Sequence, residues 1–356
     1  MDTLLSSRRR QLLHGLSAAA LVAGCGDSRF DKGRPAAAYR FGGPTMGTTY
    51  SVKIAGAGLS PAAQDAARLA VESALADVDA RMSAYRETSE LSRFNRHRAD
   101  TPFALSPSTF AVFRQAQQVS AMTDGAFDIT VAPLVDAWGF GPAGARNVVG
   151  DERLLRMESS VGWQLLALDA ASATVAKQRR DVAADLSGIA KGYAVERAAR
   201  ALEALGIGDY MVEAGGEVRT RGRNASSAPW QIAIERPDAM PQRAFMIVPL
   251  SGQAMATSGD YRIYFEQGGQ RYCHEIDPAT GRPIRHGLAS VTVVAADCGE
   301  ADALATALIV LGPERGHALA VQRDLAALFI VREADGGLSN RATPAFAALG
   351  GRATSS

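Results

Sequence analysis

The order of strand-like and helix-like segments constrains the fold of this chain more than any other feature of its sequence. Runs of alternating or continuous apolar residues predict strands at Thr48–Ile54, Val182–Leu186, Trp230–Ile234, Phe245–Leu250, Ser290–Val294 and Leu325–Val331. Apolar residues at helical spacing predict helices at Ala62–Met82, 107–122, Ile189–Leu205, Ala301–Leu311 and Pro313–Val321. Because strands and helices do not alternate steadily, the pattern favours an α+β fold over a doubly wound parallel sheet.

Composition and charge narrow the class of protein. The chain has 356 residues, of which 47% are hydrophobic and 21% charged, and its formal net charge is +1. This length and composition support a large hydrophobic core. The near-neutral charge gives no support for a nucleic-acid partner, which would favour a basic surplus. We find no linker within residues 40–349 and expect one domain there, with a short tail at 350–356.

The first residues have the pattern of an export signal. A basic start is followed by the short apolar run Leu12–Val22 and by small residues, and the run is too short to span a bilayer. Arg9-Arg10 resembles a twin-arginine signal, although a Sec route stays open. Leu21–Cys25 resembles a bacterial lipobox. We therefore expect a signal peptide at 1–24, a lipid on Cys25, and a tether over 25–39 that holds the domain at the periplasmic side of the inner membrane.

The segment ADALATALIVLG, Ala301 to Gly312, is an apolar helix that carries two polar side chains on one face. Asp302 and Thr306 are four residues apart and therefore adjacent on a helix. A cap and an internal hydrogen bond would explain them structurally. A carboxylate and a hydroxyl are also hard oxygen donors of the kind that Mg²⁺ prefers, although two side chains do not make a closed site.

Four further segments combine turn residues with chemically useful side chains. Asp185 to Gly192 (DLSGIAKG) opens a helix and suits phosphate binding, or Asp185 or Ser187 simply caps that helix. The segment from Thr123 to Gly141 joins a turn to aromatic residues, and Glu213 to Glu217 (EAGGE) predicts a tight turn. The fourth, His274 to Pro283 (HEIDPATGRP), follows a hairpin with its turn at Gly268-Gly269. His274 is a candidate base near neutral pH, or a structural hydrogen-bonding residue.

Taken in order, eight segments of the chain resemble the ApbE family. They are MGTTYSV, SAYRETSELSRFN, TDGAFDITVAPLVDAWGFG, DLSGIAKGYAVERA, VEAGGEVR, ATSGDYR, HEIDPATGRP and ADALATALIVLGPE, and together they cover roughly Phe41 to Gly316. The resemblance implies a single catalytic domain of mixed, largely antiparallel sheets with flanking helices. It also implies a magnesium-dependent enzyme that moves FMN from FAD to a Thr or Ser hydroxyl of a target protein, with release of AMP.

The resemblance assigns roles residue by residue. The family's metal ligands match Asp302 and Thr306, with backbone oxygens of Gly188 and Ala305. The family's flavin contacts match Met46, Tyr85, Ala126, Phe127, Asp128, Asp185, Lys191 and Ile276. His274 matches the residue that takes the proton of the acceptor hydroxyl, and Asp302 is placed with it as catalytic. Glu275 departs from the family pattern, which more often has an apolar residue there.

The implied partners are FAD and flavoprotein subunits of membrane redox complexes that carry a DxxSGAT-like motif. Two other activities remain open from the sequence. With water as the nucleophile, the same site would be an FAD pyrophosphatase that releases FMN and AMP. Without catalysis, the chain would be a flavin-binding lipoprotein that retains intact FAD.

Overall fold

A computed structural model describes residues 38–56, 58–142, 144–238 and 241–354. The described helices are α1 Pro61–Met82, α2 Glu90–Arg96, α3 Pro107–Met122, α4 Ala132–Ala137, α5 Asp151–Glu158, α6 Ala190–Ala204, α7 Cys298–Gln322 and α8 Pro344–Ala347. The described strands are β1 Tyr39–Thr45, β2 Thr48–Ile54, β3 Phe103–Ala104, β4 Leu166–Asp169, β5 Thr174–Lys177, β6 Tyr210–Ala214, β7 Glu217–Arg221, β8 Trp230–Glu235, β9 Ala244–Leu250, β10 Ala254–Gly259, β11 Tyr264–Gln267, β12 Gln270–Cys273, β13 Ile276–Asp277, β14 Arg282–Pro283, β15 Leu288–Ala295, β16 Ala326–Arg332, β17 Leu338–Ala342 and β18 Arg352–Ala353. The predicted signal peptide and lipidated Cys25 lie outside the described residues.

An eight-stranded sheet in the order β1-β2-β6-β7-β10-β15-β16-β17 organises the described chain, and each of its pairings is antiparallel. Alternate side chains enter different hydrophobic clusters, as strand geometry requires. Val212 joins the cluster that contains α1, α6 and α7, whereas Met211 joins the cluster formed with β8 and β9. The same alternation separates Phe329 from Leu328. The α+β prediction with mixed, largely antiparallel sheets is confirmed.

Both ends of the domain extend beyond the expected range of 40–349. Tyr39 pairs with Ile54 at the start of β1. Arg352 and Ala353, which we expected in a tail, pair with Ile247 and Met246 as strand β18. The tail therefore begins after a short edge strand that completes the three-stranded sheet β18-β9-β8.

One predicted strand is wrong. Residues 182–186 form an extended segment with no strand partner. The side chain of Asn95 takes the place of a neighbouring strand, because its Oδ1 accepts from the Ala184 N–H at 2.7 Å and its Nδ2 donates to the Ala184 carbonyl at 2.8 Å. A buried apolar segment whose backbone groups are hydrogen-bonded outside a sheet therefore has the same sequence pattern as a buried strand.

Helix α7 contains the two predicted helices in one element. Gly312 separates them with a φ of 80° and is followed by Pro313, which cannot donate a helical hydrogen bond. The cap of α7 is Asp297, whose side chain accepts from the Glu300 N–H at 3.0 Å. Asp302 is therefore not the cap of its own helix.

Glycine at position 192 allows α6 and α7 to meet closely. A Cβ atom on Gly192 would overlap the carbonyl oxygen of Cys298 and would lie 2.7 Å from the Cβ of Asp302. Backbone cannot move aside as a flexible side chain can. The contact therefore fixes the distance between the starts of the two helices.

We predict that Gly192→Ala destabilises the protein by at least about 2 kcal/mol, because the added methyl group forces α6 away from α7. Urea unfolding of the purified domain measures the change. Gly208→Ala is the matched control, because a Cβ atom there would meet nothing within 4 Å. Equal stability of the two variants would show that the helices do not need this contact.

Candidate active site

The carboxylate of Asp302 joins the amino-terminal ends of α6 and α7. Its Oδ2 accepts a hydrogen bond of 2.9 Å from the backbone N–H of Gly192, and the residue is only 3% exposed. The first N–H groups of a helix lack partners within the helix. No side chain caps α6 from its own N-cap position at Ile189, and Asp185 instead accepts from the Ser187 N–H at 2.7 Å. A residue of α7 therefore supplies the acceptor that α6 lacks.

Lys191 places a positive charge between two buried carboxylates. Its Nζ lies 3.1 Å from Oε1 of Glu217 and 3.6 Å from Oδ1 of Asp302. It also donates to the Ser187 carbonyl at 3.4 Å. Burial alone would lower the pKa of Lys191, but the charges of Asp302 and Glu217 outweigh burial and raise it above its usual value. Lys191 is therefore charged at neutral pH and holds three segments of the chain together.

Oxygen donors gather one turn further along α7. Oγ1 of Thr306 lies 3.2 Å from Oγ of Ser258 on β10. A Cβ atom on Gly188 would lie 3.1 Å from Thr306 Oγ1 and 3.2 Å from the Phe127 ring, so only glycine lets the backbone come this close without displacing a neighbour. The structure therefore brings Gly188, Thr306 and Phe127 together beside Asp302.

These donors fit a magnesium ion by their chemistry. A carboxylate, a hydroxyl and a closely approaching backbone are hard oxygen groups, and Mg²⁺ usually completes its shell with water and phosphate oxygens. Ala305 lies fully buried on the same turn of α7. No cluster of three or more His, Cys, Asp or Glu side chains suited to a metal occurs in the part of the chain that the structure describes. A metal bound here would therefore have one carboxylate ligand from the protein and would need further oxygen ligands from water or from a bound phosphate group.

The side chain of His274 is 33% exposed and lies within the electrostatic influence of Lys191. Its Nε2 is 3.6 Å from Oε1 of Glu275, and its Nδ1 is buried without a hydrogen-bond partner. Burial, followed by the charge of Lys191, lowers the pKa of His274 to about 4. Burial raises the pKa of Glu275 to about 8 against the opposing effect of Lys191. The imidazole is therefore neutral at pH 7 and is able to accept a proton.

The remaining candidate flavin residues are largely engaged in local structure. Tyr85 is 72% exposed, and its hydroxyl donates to the Phe140 carbonyl at 3.2 Å. The Asp128 carboxylate accepts from the N–H and the hydroxyl of Thr130, each at 2.7 Å, so it stabilises its own turn. Buried Ala126 precedes this turn, and the Ile276 side chain packs in the cluster around Trp138.

Met46 occupies the turn between β1 and β2 with a φ of 45°. It lines a groove of about 640 Å³ between this turn and α1, together with Tyr50, Glu72 and Arg86. Residues with an unfavourable positive φ are costly and often mark functional sites. A Cβ atom on Gly215 would lie 3.1 Å from Cγ2 of Thr48, which lines the groove, and 3.5 Å from Cδ of Lys191, so the groove lies close to the cluster around Asp302.

Sequence reasoning did not assign a role to Glu217, Ser258 or Glu275. Glu217 closes the EAGGE turn, and Gly215 and Gly216 have φ values of 65° and 106°, so the predicted tight turn is confirmed. That turn aims Glu217 at Lys191. The only sequence signal was the position of these residues inside quoted motifs, because their partners are far away along the chain.

Cys273 and Cys298 are both buried and unpaired, and free buried cysteines pack as small apolar residues. No described helix has the length and apolar character needed to cross a membrane.

Comparison with known proteins decides the family. The family model described as ApbE family matches residues 46–329, which is most of the chain. The chain belongs to the ApbE family. Two similar relatives are both named FAD:protein FMN transferase. The protein from Vibrio cholerae is 43% identical over 92% of this chain and 95% of its own length, and the protein from Haemophilus influenzae is 43% identical over 86% and 90%.

Solved structures of ApbE proteins share the fold. The flavin transferase ApbE from Vibrio cholerae has a TM-score of 0.80 and 42% identity, covering 88% of this chain and all of that one. The apo flavinyl transferase ApbE from Pseudomonas stutzeri has a TM-score of 0.80 and 41% identity, covering 88% of this chain and 97% of that one.

We predict that Lys191→Met destabilises the protein by about 1–3 kcal/mol, because buried Asp302 and Glu217 lose their cation. The loss should stay below that of a fully buried pair because the lysine side chain is 32% exposed. Adding Glu217→Gln should restore part of the stability. Urea unfolding at pH 7.5 measures both effects. Arg114→Met, which removes an exposed cation from α3, is the control, and no recovery with Glu217→Gln would contradict the role of Lys191 between the two carboxylates.

Proposed function

We propose that this chain transfers FMN from FAD to a hydroxyl of a target protein and releases AMP. The observation that carries the proposal is the convergence of Asp302, Thr306, Lys191 and neutral His274 at one site of an ApbE-family chain. Relatives that match most of the chain are named FAD:protein FMN transferase. The fold class alone would not specify an activity, so the site carries the argument.

His274 is the proposed base. The hydroxyl oxygen of a Thr or Ser attacks the phosphorus of the FMN half of FAD, and the hydroxyl proton passes to the imidazole. The bond between that phosphorus and the bridging oxygen breaks, and AMP leaves with the oxygen. An alkyl hydroxyl is a weak nucleophile until a base assists it, so a neutral imidazole within reach is required.

Lys191 and the oxygen donors are proposed to hold the pyrophosphate. Asp302, Thr306 and backbone oxygens of Gly188 and Ala305 would hold Mg²⁺. When bound, Mg²⁺ neutralises charge on the phosphoryl oxygens and on the leaving AMP. Lys191 is charged and one-third exposed, so it faces the same substrate with a second positive group.

The flavin is proposed to lie along the groove at Met46 and against Tyr85, with contacts from Ala126, Phe127, Asp128, Asp185 and Ile276. The exposure of Tyr85 supports this assignment, because an aromatic side chain that is 72% exposed beside a polar site offers a ring for stacking. Asp128 and Ile276 are engaged in their own turn and core, so we assign their contributions to the backbone.

We further propose that the protein is a lipoprotein anchored through Cys25 at the periplasmic side of the inner membrane. The basic start, the short apolar run and the lipobox-like Leu21–Cys25 support an export signal with a lipid anchor. The targets would then be flavoprotein subunits of membrane redox complexes that carry a DxxSGAT-like segment.

Mass spectrometry of an acceptor protein after incubation with FAD and Mg²⁺ tests the transfer. We expect an adduct of one FMN on a Thr or Ser, together with free AMP. His274→Gln should slow adduct formation by about 100-fold or more while FAD remains bound. Asp302→Asn should abolish the Mg²⁺-dependent turnover. The variant should still fold, because an amide oxygen still accepts from the Gly192 N–H.

Asp65→Asn, on the exposed face of α1, is the matched control and should behave as wild type. Free FMN and AMP without any adduct would identify a pyrophosphatase. Bound FAD that is never cleaved would identify a flavin-binding lipoprotein. Full Mg²⁺-dependent turnover of Asp302→Asn would refute the assignment of the metal site while leaving the activity intact.

Fractionation of cells tests the anchor. The wild-type chain should sediment with inner membranes, and Cys25→Ala should appear in the soluble periplasmic fraction because the attachment site of the lipid is gone. Cys298→Ala keeps Cys25 and serves as the control. Continued membrane association of Cys25→Ala would refute lipid anchoring.

A further inference from the structure

Apolar and cationic side chains beside His274 form a partly exposed rim, and none of them is among the proposed metal or flavin residues. The rim touches that set at one point, where the Phe140 carbonyl accepts from the Tyr85 hydroxyl. We define the histidine rim as Phe140, Arg146, Ile263, Tyr264 and Arg271. The Ile263 carbonyl accepts from the His274 N–H at 3.1 Å, and the Phe140 ring lies 6.4 Å from the imidazole. The rim is therefore attached directly to the proposed base.

The members of the rim contact one another. Arg146 donates to the Tyr264 carbonyl at 3.0 Å, and its guanidinium lies 5.9 Å from the Phe140 ring. The guanidinium of Arg271 lies 3.7 Å from the Tyr264 ring. These contacts link the hairpin β11–β12 to the segment after α4 as one continuous surface.

The apolar part of the rim is open to solvent. Ile263 is 45% exposed and Tyr264 is 38% exposed. In the described residues the strands of this hairpin pair only with each other, so no neighbouring strand covers them. Exposed Tyr and Arg side chains are enriched in protein-binding surfaces.

The cationic part of the rim lacks acidic partners within the described chain. Neither Arg146 nor Arg271 forms a salt bridge there, and Arg271 donates instead to the Asp260 backbone carbonyl at 3.2 Å. Glu266 lies opposite Arg271 in the hairpin register without an ion pair. The nearby carboxylate of Asp260 is already bound by Arg332 at 2.6 Å. The exposed guanidinium of Arg146 is therefore available to a carboxylate from outside, and the partly buried guanidinium of Arg271 adds positive charge beside it.

We propose that the histidine rim docks the acceptor protein through an acidic segment that carries the modified hydroxyl. The inference rests on the proposed function, because a protein hydroxyl that reaches His274 must bring its neighbouring residues over the rim. Ile263 and Tyr264 cover the apolar side chains of that segment, and Arg146 pairs with a carboxylate of the segment beside the charge of Arg271. FAD is held by other residues, at Met46, Lys191 and Asp302, and Tyr85 links that set to the rim through its hydrogen bond to the Phe140 carbonyl.

The test compares the double variant Ile263→Ser/Arg146→Gln with the wild-type chain, using a purified flavoprotein subunit that the wild type flavinylates. The KM for this acceptor should rise about ten-fold, because two contacts at the rim are lost. The dissociation constant of FAD, measured without acceptor, should not change. The wild-type kcat/KM for the acceptor should also fall with added salt, and less steeply in the variant.

The double variant Val321→Ser/Arg323→Gln is the matched control. The exposed fraction of Val321, 44%, matches that of Ile263, 45%. Val321 lies at the far end of α7 from Asp302. An unchanged acceptor KM in the rim variant would overturn the docking surface while the activity stands. A raised FAD dissociation constant with an unchanged acceptor KM would assign the rim to the flavin instead. Absence of any adduct with the wild type would overturn the proposed function and the docking surface together.

Discussion

The site depends on one buried carboxylate that serves two helices. Asp302 accepts from the Gly192 N–H at the start of α6 and lies 3.6 Å from the ammonium of Lys191. Because Lys191 and Gly192 are neighbours, the same carboxylate fixes a backbone group and a charged side chain of α6. Gly192 permits the close approach, and Glu217 holds the other side of Lys191 at 3.1 Å. The close contact between α6 and α7 therefore also fixes the positions of the charged groups in the site.

Local signals in the sequence predicted much of the fold. Thr48–Ile54 is observed as β2 with the same bounds, and the helix predicted at Ala62–Met82 is observed as α1, which begins one residue earlier after its cap Ser60. Turn and cap chemistry acts over a few residues, so it is visible in a single sequence. The strand prediction for residues 182–186 was wrong because Asn95, whose side chain forms hydrogen bonds with the backbone of Ala184, lies 89 residues away in the sequence. The order of the sheet's strands is likewise set by long-range pairing that local patterns do not contain.

The same limit applies to the site. The four-residue spacing of Asp302 and Thr306 showed that they share a helix face, but it did not show that Asp302 caps a different helix. Lys191 was selected from its glycine-rich segment, whereas Glu217 became meaningful only beside Lys191. The lowered pKa of His274 arises from burial and from the charge of Lys191, and both are properties of the folded chain. Residue types were therefore predictable, and their electrostatic coupling was not.

The proposed mechanism requires that Asp302, Thr306 and the Gly188 backbone form a cation site that faces the pyrophosphate of FAD. A crystal structure of the protein with FAD and Mn²⁺, recorded at the manganese absorption edge, would locate that cation. We expect an anomalous peak within coordination distance of Asp302 and Thr306, with pyrophosphate oxygens on its other side. A peak elsewhere, or FAD bound with its pyrophosphate away from Asp302, would contradict it.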